Sequence, residues 1–112
     1  MRSSAHRIRD WAYLSWIKRQ VCIVCEKHAI NVGNLFTRKF SPSQAHHAGH
    51  RGLSQRADDR TCIPLCWTHH DRNSPHSVHT LGRKFWQFYS IDRQAIIEEM
   101  NRRYELETER AA

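Results

Sequence analysis

The chain has 112 residues, which fits a single domain spanning 1–112. Eighteen Lys and Arg against eleven Asp and Glu give a formal charge of +7, a balance that favours a polyanionic partner, chiefly nucleic acid, although solubility alone would also account for it. No run approaches the ~20 apolar residues of a membrane span, so no membrane partner is expected. Met1 to Arg7 also shows no apolar leader, so the expected setting is a reducing cytoplasm, where the four cysteines read as metal ligands.

Residues 8–20 read as a helix. Ile8, Trp11, Ala12 and Leu14 recur at near-helical intervals, and Tyr13, Trp16 and Ile17 widen the stripe. Lys18 and Arg19 suit the negative end of the helix dipole. Val21 to Cys25 is short and rich in β-branched residues, which predicts a strand ending in a knuckle. Residues 26–45 read as irregular, broken by Gly33, Asn34 and Pro42, with Arg38 and Lys39 exposed. Gly49 and Gly52 follow His46-His47, which places that pair at a strand end entering a loop.

Residues 50–60 are polar and carry Arg51, Arg56 and Arg60. Thr61 to Leu65 predicts a second short strand, with Pro64 limiting its pairing. A helix is expected to begin near His69 and to break around Ser74-Pro75. The helical pattern returns from Leu81 with Phe85, Phe88 and Tyr89, read as core. Asp92 predicts an N-cap for a last helix, with Ile96, Met100 and Tyr104 on one face and Ile97 beside them. The expected layout is an N-terminal helix over 1–20, a metal-binding core over 21–80 and C-terminal helices over 81–112. There is no internal repeat and no low-complexity segment.

Seven of the nine histidines lie between 46 and 79, interleaved with cysteines. Structural zinc takes four Cys or His ligands, usually from two knuckles. Cys22-x-x-Cys25 makes one, because two intervening residues let the chain turn around an ion. Cys66-x-x-His69 repeats the spacing and makes the other. Cys62 competes for the fourth place. On an extended strand it would lie ~13 Å from Cys66, too far to share an ion unless Pro64 bends the chain. Otherwise Cys62 is a small buried hydrophobe. His46, His47, His70 and His79 remain for a second centre, and His6, His28 and His50 read as surface residues.

These residues resemble the HNH nuclease superfamily, the ββα-metal fold. The resembling pieces are the Cys22–Cys25 knuckle, His46-His47 at the end of the first hairpin strand, and Cys66-x-x-His69-His70 entering a helix. Tyr13-Leu14-Ser15-Trp16-Ile17, Asp59, Ile63-Pro64-Leu65-Cys66 and Phe85-Trp86 after His79-x-x-Gly82 resemble a narrower phage and prophage group. That group is related to the recombination enhancement function nuclease of phage. The likeness covers roughly residues 12–100. It implies an α+β fold of small ββα-metal, treble-clef-like type with flanking helices, working in a bacterial or phage-infected cell.

The resemblance also implies roles. His46 would bind the catalytic metal, His47 would be the general base, and His70 and His79 would complete the metal site. The family usually offers an Asn to orient the base. This chain has Asp59 in that region instead, which leaves the orienting role open. His76 has no clear counterpart.

The implied chemistry is phosphodiester hydrolysis of DNA. An imidazole can take a proton from water near neutral pH. A divalent ion would stabilise the charged transition state. Three imidazoles suit Zn²⁺, Ni²⁺ or Mn²⁺ better than Mg²⁺, which prefers oxygen, although a nearby Asp59 would soften that preference. Arg51, Arg56 and Arg60 would hold flanking phosphates or form a solvated loop face. The rival expectation is a nonenzymatic zinc module that binds nucleic acid or protein, with the second His set also structural. A nuclease that needs a protein partner or a homodimer is a third, because 112 residues give little surface for sequence readout.

Overall fold

A computed structural model describes residues 10–31, 42–49 and 58–111. In chain order it has α1 (Trp11–Lys18), α2 (Ile23–Asn31), β1 (Ser43–His47), a 3-10 turn (Asp59–Thr61), β2 (Cys62–Cys66), α3 (Trp67–His70), α4 (Val78–Leu81), α5 (Lys84–Phe88) and α6 (Arg93–Ala111). The architecture is mixed: helices packed around one two-stranded antiparallel sheet.

Helix α1 starts where the Asp10 side chain accepts the Tyr13 N–H at 3.0 Å, a side-chain cap on an otherwise unsatisfied donor. Its buried face is only part of the expected stripe. Tyr13, Trp16 and Ile17 are buried, Leu14 is half-buried, and Trp11 is 70% exposed. Spacing alone allowed either face. The Tyr13 hydroxyl decides the choice by donating to the Cys62 carbonyl at 3.2 Å, which turns that face onto β2.

The strand expected over Val21 to Cys25 is a helix instead. The Glu26 N–H donates to the Cys22 carbonyl at 2.9 Å and opens α2. Two β-branched residues only mildly disfavour a helix, and Glu26 to Ala29 favour one. Ile23 and Val24 are buried, so tertiary packing overrides their strand preference. Residues 26–31 and 43–45, expected as irregular, belong to α2 and β1. Arg38 and Lys39 lie outside the described residues.

The sheet pairs Ser43 with Cys66, Gln44 with Leu65, Ala45 with Pro64, His46 with Ile63, and His47 with Cys62. The Ala48 N–H extends the ladder to the Thr61 carbonyl at 3.1 Å. Counting in alternation from that bond, Pro64 falls where an N–H would point away from β1, so its missing donor costs no ladder bond. Every residue of β2 is buried, and the strand touches α1, α2, α3 and α6. Gly49 is required where the chain leaves β1, since a Cβ there would meet the Thr61 Cγ2 at 2.5 Å.

Between the hairpin and the 19-residue α6 the helices are short. α3 is one turn, and Ser77 caps α4 by accepting the Thr80 N–H. Gly82, at φ +60°, takes the left-handed turn that ends α4. Asp92 Oδ1 accepts the Ala95 N–H at 3.1 Å, the expected cap of α6, whose Ile97 and Met100 are buried. Phe85 is buried as expected, but Phe88 is 58% exposed and stacks on His76. Phe85→Ala should cost about 3–5 kcal/mol by opening a cavity, and Asp92→Ala about 1 kcal/mol by removing a cap. Urea denaturation would read both, and equal losses would contradict this core.

Candidate metal centres

Two ligand sets converge on the hairpin and α3. The first is Cys22, Cys25, Cys66 and His69, whose ligand atoms all lie within 4.8 Å of one another. Cys22 precedes α2, and Cys25 lies in its first turn. Three residues span nearly one helical turn, so both sulfurs reach one side. Cys66 ends β2 and caps α3, which carries His69. Ligands around a single zinc would be roughly 3.6–3.8 Å apart in a tetrahedron. His69 Nδ1 lies 3.5, 3.7 and 3.2 Å from the sulfurs of Cys22, Cys25 and Cys66, and the Cys25 and Cys66 sulfurs are 3.7 Å apart. These four side chains can hold a metal ion such as zinc.

The electrostatics agree with that use. Hydrogen bonds from Cys22 and Cys25 hold the Cys66 thiol far below its ordinary range. Contacts with Cys22 and Cys66 push Cys25 up. Burial pulls His69 down, but hydrogen bonds to Cys22 and Cys66 outweigh it and raise the imidazole to about 9. Such a cluster favours positive charge, which a metal ion supplies in place of protons. None of the four cysteines is in a disulfide. Cys62 falls outside this set; it is fully buried in the core, on the strand it shares with Cys66.

The second set is His46, His70 and His79, again with ligand atoms within 4.8 Å. His70 Nε2 and His79 Nε2 are 3.2 Å apart, close to the ~3.3–3.4 Å edge expected for two nitrogens on one ion. Ring centroids of His46 lie 5.2 Å from His70 and 5.3 Å from His79. Nδ1–H of His70 donates to Gln44 Oε1, which leaves Nε2 as the ligand atom. Burial first, then the neighbouring His70 and His79, push His46 down to about 3, so the ring is neutral at pH 7. Burial and His79 also lower His70. Trp86 borders the site at 6.2 Å from His46, and the Arg93 guanidinium lies over Trp86 at 5.8 Å.

His47 follows His46 on β1, and strand alternation turns it to the opposite face. There His47 Nε2 meets Asp59 Oδ1 at 3.0 Å. Asp59 is 1% exposed, whereas the His47 side chain is 37% exposed. A carboxylate only accepts, so Nε2 carries the proton in this contact. Asp59 Oδ2 accepts the Asp10 main-chain N–H at 2.8 Å.

Of the three arginines expected at phosphates, Arg51 and Arg56 lie outside the described residues. Arg60 is engaged within the protein: its Nε–H donates to Asp10 Oδ2 at 2.8 Å, and its guanidinium lies over the Tyr13 and Tyr104 rings. His76 stacks on Phe88 and is not in either ligand set, His28 is exposed on α2, and His6 and His50 lie outside the described residues. Gln44, Arg93 and Asp10 were missed from sequence, and Trp86 entered only as part of the Phe85-Trp86 string. For Gln44 a signal existed, since residue i−2 on a strand shares the face of His46.

No protein-family model, curated protein or solved structure matches the chain. Among the described residues no helix is long and apolar enough to cross a membrane.

Cys22→Ser and Cys66→Ser should each sharply reduce zinc content and lower the melting temperature, because binding and folding are linked in such sites. Cys62→Ser should keep the zinc, although burying a hydroxyl there will cost stability. Elemental analysis paired with thermal melts checks this. Full zinc and unchanged melting in Cys22→Ser would overturn the ligand assignment.

Proposed function

We propose that the chain is a metal-dependent endonuclease of HNH, or ββα-metal, type that hydrolyses DNA phosphodiester bonds. The observation that carries the reading is the hydrogen bond between half-exposed His47 and buried Asp59, one residue along the strand from the three-histidine set. A buried carboxylate that fixes one imidazole nitrogen leaves the other nitrogen of a part-exposed ring to act as a base. A zinc module that only binds has no use for such a pair.

In this reading His47 Nδ1 takes the proton from the attacking water, and Asp59 holds the ring and stabilises the imidazolium that forms. A divalent ion held by His46, His70 and His79 would stabilise the charge on the phosphate and leaving oxygens. Three protein ligands leave room in its coordination shell for substrate, as catalytic sites require. His46 and His47 are the last residues of β1, so a phosphate lying across the strand end would face both sets. The order hairpin, α3 with His70, then α4 with His79 supports the ββα-metal assignment. The net charge of +7 supports a nucleic-acid substrate.

Affinity for duplex DNA should fall steeply with salt and depend little on sequence. Replacing Arg51 and Arg56 together by Ala should reduce the salt slope by about 2, one unit per phosphate contact. An unchanged slope in a binding titration would make them a solvated loop face.

His47→Ala should lower cleavage by about 10²-fold or more while zinc content, melting and DNA affinity stay near wild type. His70→Ala should weaken the second ion and recover in part with excess metal. The assay would use plasmid and single-stranded DNA with Mg²⁺, Mn²⁺, Ni²⁺ and Zn²⁺ separately. Undiminished cleavage by His47→Ala removes that residue from the mechanism. Wild-type protein inactive with every ion would favour a nonenzymatic zinc module or a nuclease that needs a protein partner.

A further inference from the structure

We propose that Asp10 and Arg60 are positioning residues: together they form a latch that holds Asp59, and through it His47, in the geometry of a base; the catalytic part of this rests on the nuclease reading above. Asp59 sits in a single 3-10 turn, a short element that cannot by itself fix a side chain. Its Oδ2 is met by the Asp10 N–H, 49 residues away in the chain. That N–H can reach Asp59 only if the chain entering α1 is pinned.

Several contacts pin it. Asp10 Oδ1 caps α1 at the Tyr13 N–H, 3.0 Å away. Asp10 Oδ2 accepts Arg60 Nε–H at 2.8 Å. The Arg60 guanidinium lies 5.2 Å from the Tyr13 ring centre and 4.9 Å from that of Tyr104 on α6. Asn101 of α6 donates Nδ2–H to the Arg60 carbonyl at 3.1 Å. The Arg60 contact, followed by the Tyr13 N–H, holds the Asp10 carboxyl below its ordinary range.

An exposed ion pair by itself contributes little. Here the pair is largely buried and held by a helix cap and two aromatic faces. Arg60 directly follows Asp59, so the residue beside the carboxylate ties the turn to both α1 and α6. With Oδ2 held, Oδ1 stays on His47 Nε2, and the ring keeps one tautomer. With Oδ2 released, the carboxylate loses a contact that orients it, and the imidazole Nε2–H loses its fixed acceptor.

The test uses the full-length zinc-loaded protein and its Asp10→Ala, Asp10→Asn and Arg60→Ala variants, with Asp59→Asn as reference. Imidazole ¹⁵N–¹H NMR reads the His47 tautomer without needing activity. Wild type should show a single Nε2–H form. Asp10→Ala and Arg60→Ala should shift toward the tautomer mixture of Asp59→Asn, with zinc content retained. Asp10→Asn keeps the cap acceptor and the main-chain N–H, so it should preserve the wild-type tautomer better than Asp10→Ala. On DNA, the two alanine variants should lose about 10- to 100-fold in kcat with KM changed by less than about twofold, the mark of misplacement rather than lost binding.

If Asp10→Ala does not fold, Arg60→Ala carries the test. A wild-type tautomer in Arg60→Ala overturns the latch. So does a raised KM with unchanged kcat, which would make Arg60 a phosphate contact. A tautomer shift in a protein that cleaves no DNA would retire the nuclease reading and leave the latch standing.

Discussion

The pairing of β1 with β2 is the constraint on which both ligand sets depend. Side chains alternate along a strand, so a slip of one residue would exchange every face. In the observed register Gln44 and His46 share one face with Leu65 and Ile63, while His47 shares the other with Cys62. Cys66 lies on the His47 face, opposite Ser43, and leads into the zinc-type set. Both faces of β2 are buried, so the register rests on how Ile63 and Leu65 on one face and Cys62 and Cys66 on the other fit their neighbours, and a slip would exchange the two sets. The core therefore decides more than stability: it decides which histidine joins the imidazole cluster and which meets Asp59.

The Cys and His set does for the outer elements what the core does for the hairpin. α2 and α3 are nine and four residues long, and such helices are marginal alone. A shared ion would tie the start of α2 to the β2–α3 junction, and His70 leaves that junction one residue after His69. Rigidity at the cysteine set thus becomes placement at the histidine set. The lowered His46 fits the same economy, since desolvation keeps the ring neutral and available as a ligand without help from a carboxylate.

What could be read from the sequence was local. The two x-x spacings announced the Cys22, Cys25, Cys66 and His69 cluster, because ligand spacing is dictated by one turn of chain around an ion. The mixed helix-and-hairpin character, the Asp92 cap and the buried Ile97 and Met100 also follow from neighbours in sequence. Where tertiary contacts chose between local options, sequence reasoning failed. Val21 to Cys25 has strand-forming residues but leads into α2, since Ile23 and Val24 find burial there as helix. On α1, Trp11 belongs to the expected apolar stripe and stands exposed, because the Tyr13 hydroxyl bonds to β2 and the Tyr13, Trp16 and Ile17 part of that stripe turns inward. The Asp10–Arg60 and Asp10–Asp59 contacts bridge 50 and 49 residues, and no spacing rule reports on such pairs.

The two double histidines show how few residues can serve several environments. His46 and His47 diverge because consecutive strand residues point to opposite faces. His69 and His70 diverge because consecutive helix residues are about 100° apart. One pair on a strand and one on a helix therefore supply three destinations: the sulfur cluster, the imidazole set and the buried Asp59. His79 then needs only to approach from α4, and the Ser77 cap with the Thr80 hydroxyl bonds to the Ser74 and Arg72 carbonyls fixes that approach. A module needing zinc alone would be complete with the first destination. The three-histidine set and the carboxylate-held His47 lie beyond what the sulfur cluster alone requires, and it is on them that the proposed hydrolytic chemistry rests.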